Sequence, residues 1–135
     1  MATSLIPASS AYHDLNIAVS PYDVARAKAL LAQSGYATTL AGSDKHLTLS
    51  LAAPNDATRQ READLLTKDV AAIGVTLVYK PASVSPSDQG GFYAPYDKGG
   101  VLATRAFDLA LFDLHLGPDP ATAASLFDPA RAQFP

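Results

Sequence analysis

The chain has 135 residues, 48% of them apolar, 8% aromatic and 17% charged, which is the composition of a globular protein and of one domain rather than several. Ten Lys and Arg against 13 acids give a net charge of −3, so no basic field is present to hold a phosphate backbone and nucleic acid is excluded as an expected partner. Zero cysteines remove disulfides, thiolate metal sites and cysteine nucleophiles.

Mean hydropathy is +0.07, and no apolar run approaches the roughly 18 residues that a membrane crossing needs. The start Met1-Ala2-Thr3-Ser4-Leu5-Ile6-Pro7 lacks the positive charge and long apolar core of a secretory signal. The expectation is a cytosolic protein or a piece of a longer one.

Ser20-Pro21-Tyr22-Asp23 reads as a helix start, with Ser20 as cap, Pro21 in the first turn and Asp23 reaching back as a capping-box acid. Val24, Ala27, Leu30 and Leu31 recur at helical steps and Gly35 is a left-handed stop, which places a helix at about residues 21–34. Leu47, Leu49 and Leu51 then alternate with Thr48 and Ser50, the period of a strand. Pro54-Asn55-Asp56 breaks it, with Asn55 as the expected N-cap of a second helix whose stripe is Ala63, Leu66, Val70 and Ile73, ending at Gly74. Val75-Thr76-Leu77-Val78-Tyr79 is a second strand. Strand, helix and strand have the length of a right-handed crossover, so the two strands are expected to be parallel neighbours.

Residues 81–100 contain Pro81, Pro86, Pro95, Gly90, Gly91, Gly99 and Gly100 without a sustained period, and read as a long mobile loop. A short helix over 101–106 and a third strand Phe107-Asp108-Leu109-Ala110-Leu111-Phe112 follow, the strand apolar enough to lie centrally in a parallel sheet. The turn Gly117-Pro118-Asp119-Pro120 and a short helical segment over 121–127 complete the chain. The fold class is α/β: a single three-layer-like lobe with a βαβ unit and a small, mostly parallel sheet flanked by helices.

Candidate chemistry gathers at one edge. Asp113 ends the third strand, Asp119 lies in the next turn, and Asn55 and Asp56 follow the first strand; in an open α/β sheet these carboxyl ends line the ligand crevice. Asp and Asn are equally ordinary turn and cap residues. His115 can join that rim as a donor or sit in water as a loop histidine. His13, His46 and His115 lack the spacing of a metal site, and no GxSxG, GxxxxGK[ST] or GxGxxG occurs, so no metal and no cofactor are expected. Phe92, Tyr93 and Tyr96 crowd the 81–100 segment, where they either close over a ligand or tuck that segment onto the body.

Several runs, in order, carry a resemblance. Tyr22-Asp23-Val24-Ala25-Arg26-Ala27-Lys28-Ala29-Leu30-Leu31-Ala32-Gln33-Ser34-Gly35-Tyr36 is similar to the Y-D-x-x-K-A-K-x-L-L-x-x-A-G-Y segment of family 5 extracellular solute-binding proteins, the oligopeptide and dipeptide receptors of ABC importers. Residues 47–55 resemble that family's LTLxxxxxN strand, 61–74 its following helix, 107–112 its FDLALF strand, and Gly117-Pro118-Asp119-Pro120 its acidic-proline turn. The resemblance implies a periplasmic binding protein type II-like architecture in which two lobes clamp a solute. This chain would then be a fragment, residues 1–135 forming a single domain that is part of the C-terminal lobe.

It also implies a periplasmic or extracellular protein, membrane-anchored in its parent, with three partners: a peptide or other small solute, an ABC permease and the remaining lobe. The aspartate matching Asp119 would pair with a ligand ammonium, as a charge-assisted bond in a closed cleft, with Asp113 and His115 on the same rim. Where the family often carries Gly-Trp, this chain has Asp113-Leu114 and no tryptophan, and relatives also take nickel complexes, sugars and opines. Apolar area bared at a cut boundary would allow a homodimer of the isolated fragment.

Two other classes remain. Residues 107–113 resemble the phosphoacceptor strand of phosphotransfer receiver domains, with Asp113 as phosphoacceptor and Asn55 and Asp56 imitating the magnesium-binding acids, although only 22 residues follow Asp113 and no lysine lies beyond Lys98. A small hydrolase built on Asp113, Asp119 and His115 has only proximity in sequence behind it.

Overall fold

A computed structural model of the chain describes Asn16, residues 21–42 and residues 45–113. Asp23–Asp113 forms one compact unit. Helix α1 spans Val24–Gln33. Its N-cap is Asp23, not Ser20: the carboxylate accepts the Arg26 amide at 2.8 Å, so the acid expected inside the first turn closes the helix itself. At the other end Gly35 (φ +78°) lets the Tyr36 amide reach the Leu31 carbonyl and the Gly35 amide the Ala32 carbonyl, each at 3.0 Å. That pair of bonds is the Schellman closure expected of a glycine there. No residue of α1 is fully buried.

Strand β1 (Leu47–Pro54) leads into helix α2 (Ala57–Ala71) and then strand β2 (Val75–Ala82). β1 and β2 pair in parallel from Leu47 opposite Val75 to Pro54 opposite Ala82, as the crossover length implies. The cap of α2 is Asp56, one residue beyond the expected Asn55: its Oδ1 accepts the amides of Thr58 (2.9 Å) and Arg59 (3.0 Å). Asn55 instead continues the ladder, its amide donating to the Ala82 carbonyl at 2.7 Å. β2 runs three residues past the expected Tyr79, through Pro81. Alternation explains how: Ala82 turns its carbonyl toward β1, so Pro81 turns its missing N–H to the open side, where a sheet tolerates proline.

α2 covers one face of the sheet. Ala63, fully buried, lies against Leu51 and Leu77, with Leu49, Val70, Tyr79 and Leu111 around them. A methyl at the closest point lets helix and sheet approach to dense packing. Leu66, expected in the buried stripe, stands at its border and is 39% exposed.

Strand β3 is Leu109–Ala110, only two residues, and it pairs with β1 in the sheet order β2-β1-β3. The expected six-residue central strand is corrected: among the described residues β3 is two residues long, β1 is central and β3 is an outer strand. The reason is local. The Ser50 amide, on the β3 side of β1, is taken by the Asp108 carboxylate at 2.7 Å, where a longer β3 would have offered a backbone carbonyl. The ladder forms at Leu109 and Ala110, and just past them the Leu111 amide donates to the Ala52 carbonyl at 2.9 Å.

The segment expected to be a mobile loop is instead folded, with a 3₁₀ turn at Tyr96–Lys98 and helix α3 at Val101–Thr104. The Phe92 amide donates to Ser83 (2.7 Å), Gly90 to Lys98 (2.8 Å), and Val101 and Leu102 return to Gly91 and Phe92. Phe92 is fully buried and packs against the rings of Tyr93 and Phe112, so it tucks the segment onto the body, while Tyr93 and Tyr96 stay exposed. Glycine here serves close approach: a Cβ on Gly100 would lie 1.7 Å from the Ala94 carbonyl oxygen. The result is α/β: among the described residues, a small three-stranded parallel sheet flanked by helices.

Candidate functional site

Because all three strands are parallel, their carboxyl ends share one edge, the edge where an open α/β sheet binds ligands. Asn55 and Asp56 leave β1 there, and Asp113 lies three residues beyond β3. His115 and Asp119, with the 117–120 turn and the helix expected over 121–127, lie outside the described residues.

Sequence reasoning missed the group that joins these acids. Arg59, in the first turn of α2, donates through Nη1 to Glu62 and through Nη2 to Asp113. Its side chain is 12% exposed, against 40% for Glu62 and 70% for Asp113, so the cation is the enclosed member of a triad whose anions face water. The bond to Asp113 first, and that to Glu62 second, hold the guanidinium above its ordinary range. The Arg59 backbone amide meanwhile donates to the Asp56 cap. One arginine thus ties the helix start, the end of β1 and the chain leaving β3. A lone arginine three residues after an aspartate gives no sequence signal for this, because its partner is 54 residues away.

A second tie was equally invisible. Asp108 Oδ2 accepts both the amide (2.7 Å) and the hydroxyl (2.8 Å) of Ser50, and the Asp108 amide lies 3.0 Å from Ser50 Oγ. Those bonds, with the charge of Lys80 as a smaller influence, hold the Asp108 carboxyl below its ordinary value. On the α2 side the Tyr79 hydroxyl is buried without a hydrogen-bond partner, and burial, then Asp56 and Asp64, push it above the usual phenol range.

This arrangement does not suit phosphotransfer. Asp56 is spent on a helix cap and Asp113 faces an arginine. Among the described residues no three His, Asp or Glu gather to hold a metal ion.

Open parallel α/β sheets hold their ligands at the carboxyl ends of their strands. The family comparison is specific: residues 1–133 match the family described as bacterial extracellular solute-binding proteins, family 5 Middle. The chain belongs to that family, which carries a solute-binding role in ABC import on the extracellular side. No curated protein and no solved structure matches the chain.

Proposed function

We propose that this chain is part of the C-terminal lobe of a two-lobed receptor that binds peptides or peptide-like solutes between its lobes and delivers them to a membrane permease. The work is binding and release, without chemical change to the solute, outside the cytoplasmic membrane and on a parent protein anchored to it. The observation that carries this reading is the family match over residues 1–133. The parallel sheet is consistent with it, since its carboxyl edge presents carboxylates where such a fold holds its ligand.

In this reading Asp119 receives the ammonium of the solute, with Asp113 and His115 on the same rim. An opposing lobe excludes water and strengthens the pair, because opposite charges attract far more strongly in a low-dielectric cleft than at a wetted surface. This lobe alone offers only half of the enclosing wall and binds weakly.

Calorimetric titration of the intact protein with trialanine tests the assignment. Asp119→Ala is expected to weaken binding by about 2 kcal/mol, the cost of stranding a buried charge partner. Equal affinity in the variant and the parent would reject the role of Asp119.

A further inference from the structure

β2 is an outer strand, and its far side is bare. Alternation along the ladder sends Thr76, Val78 and Lys80 toward β1 with Ala82, so the amides and carbonyls of Val75, Leu77 and Tyr79 point away from the sheet. Among the described residues none of these groups has a backbone partner. The usual guards of such an edge are few. Lys80 is the strand's one charge and Pro81 its one proline, and both stand past Tyr79, so nothing in 75–79 discourages a further strand.

The edge is also its own complement. Turned about a two-fold axis through Leu77, residues 75–79 pair antiparallel with themselves: Val75 meets Tyr79, Leu77 meets Leu77, and their outward groups bond one another. Leu77 and Tyr79 face α2, so Thr76 and Val78 share the opposite face, where Val78 is 42% exposed. There Thr76 stands beside Val78 of the second copy, a β-branched pair of the kind that stabilises sheets.

On the α2 face the same turn lays α2, which packs mainly on β2, antiparallel beside its copy. Asp64 marks the flank of α2 nearest this edge, since its charge reaches the Tyr79 hydroxyl, and Lys68 follows one turn later on that flank. Both are exposed, and neither joins an ion pair among the described residues. Antiparallel helices bring Asp64 of each copy toward Lys68 of the other, so charge favours the copy over an unrelated strand.

We propose that the open edge of β2 is a docking surface for a second copy of this chain, joined as an antiparallel strand pair with α2 beside α2. The interface is small, and complexes of that size are transient. The proposal is independent of the solute-binding reading above.

Sedimentation equilibrium of the intact protein from about 2 to about 200 µM tests it, a range that spans the micromolar affinity of a small interface. A reversible monomer–dimer equilibrium is expected. Asp64→Lys should weaken it at least about tenfold by gathering lysines, and Asp64→Lys with Lys68→Asp should return it to within about threefold of the parent. Thr76→Glu with Val78→Glu opposes like charges across the strand pair and should leave a monomer, whereas Thr76→Glu with Val78→Lys should still dimerise. Circular dichroism and melting temperature identify a strand variant that does not fold; the helix charge reversal, which changes only exposed side chains, then decides. A monomer at every concentration would overturn the proposal, because the edge is then bare or covered by another part of the parent. So would a dimer that none of these substitutions alters, which would lie on another surface.

Discussion

Asp56 and Asn55 are adjacent, similar in size and both good helix caps by type, yet only Asp56 caps α2, through two amides. Composition cannot separate them; the ladder does, because the Asn55 amide is still committed to Ala82. Asp56→Ala should therefore cost about 1 kcal/mol in urea denaturation and Asn55→Ala less than about 0.5. Asp108 gives a pH signature. Its carboxyl lies below the ordinary 3.8 in the folded state, so the unfolded chain takes up the proton first. The stabilisation is complete above that ordinary value and is lost as pH falls through the lower, folded one. Acid titration of stability should thus show a loss beginning below about pH 4, and Asp108→Asn should flatten it; an equally steep acid limb in the variant would contradict the assignment.

At the scale of elements, α1, β1, α2 and β2 were legible because their periods and stop signals are local: leucines at alternate positions, Gly35 and Gly74 at helix ends. The short length of β3 and the folding of the 83–100 segment were not. Their form depends on Ser50, Arg59 and Phe112, partners that no window of neighbouring residues contains. Proline and glycine read as punctuation, and here they punctuate a folded piece centred on Phe92. Phe92→Ala should destabilise the protein by about 3–5 kcal/mol, the usual cost of emptying an aromatic core site; a mobile loop would lose almost nothing.

Gly74 offers a second check on the same scale. A Cβ there would lie 2.4 Å from the Thr38 carbonyl carbon, at φ +87°, so Gly74→Ala should lower stability by more than about 1 kcal/mol. Thermal unfolding indistinguishable from the parent would mean that the 37–39 segment does not pass over Gly74.

At the scale of the molecule, the order of several short runs identified the family, which the match over residues 1–133 establishes. The site was legible as an edge and not as a mechanism of holding. Parallel strands imply that Asp56 and Asp113 share a side of the sheet, but not that Arg59 stands among them to offset their repulsion. In the reading proposed above, a guest held through Asp119 presents a cation, and its affinity depends on that cation more than on its bulk.

Titration of the intact protein with trialanine and with N-acetyl-trialanine puts that requirement to the test, since the two differ at the amino terminus alone. The account predicts that the acetylated peptide binds at least about thirtyfold more weakly, the equivalent of losing about 2 kcal/mol. Equal affinities for the two peptides would contradict it.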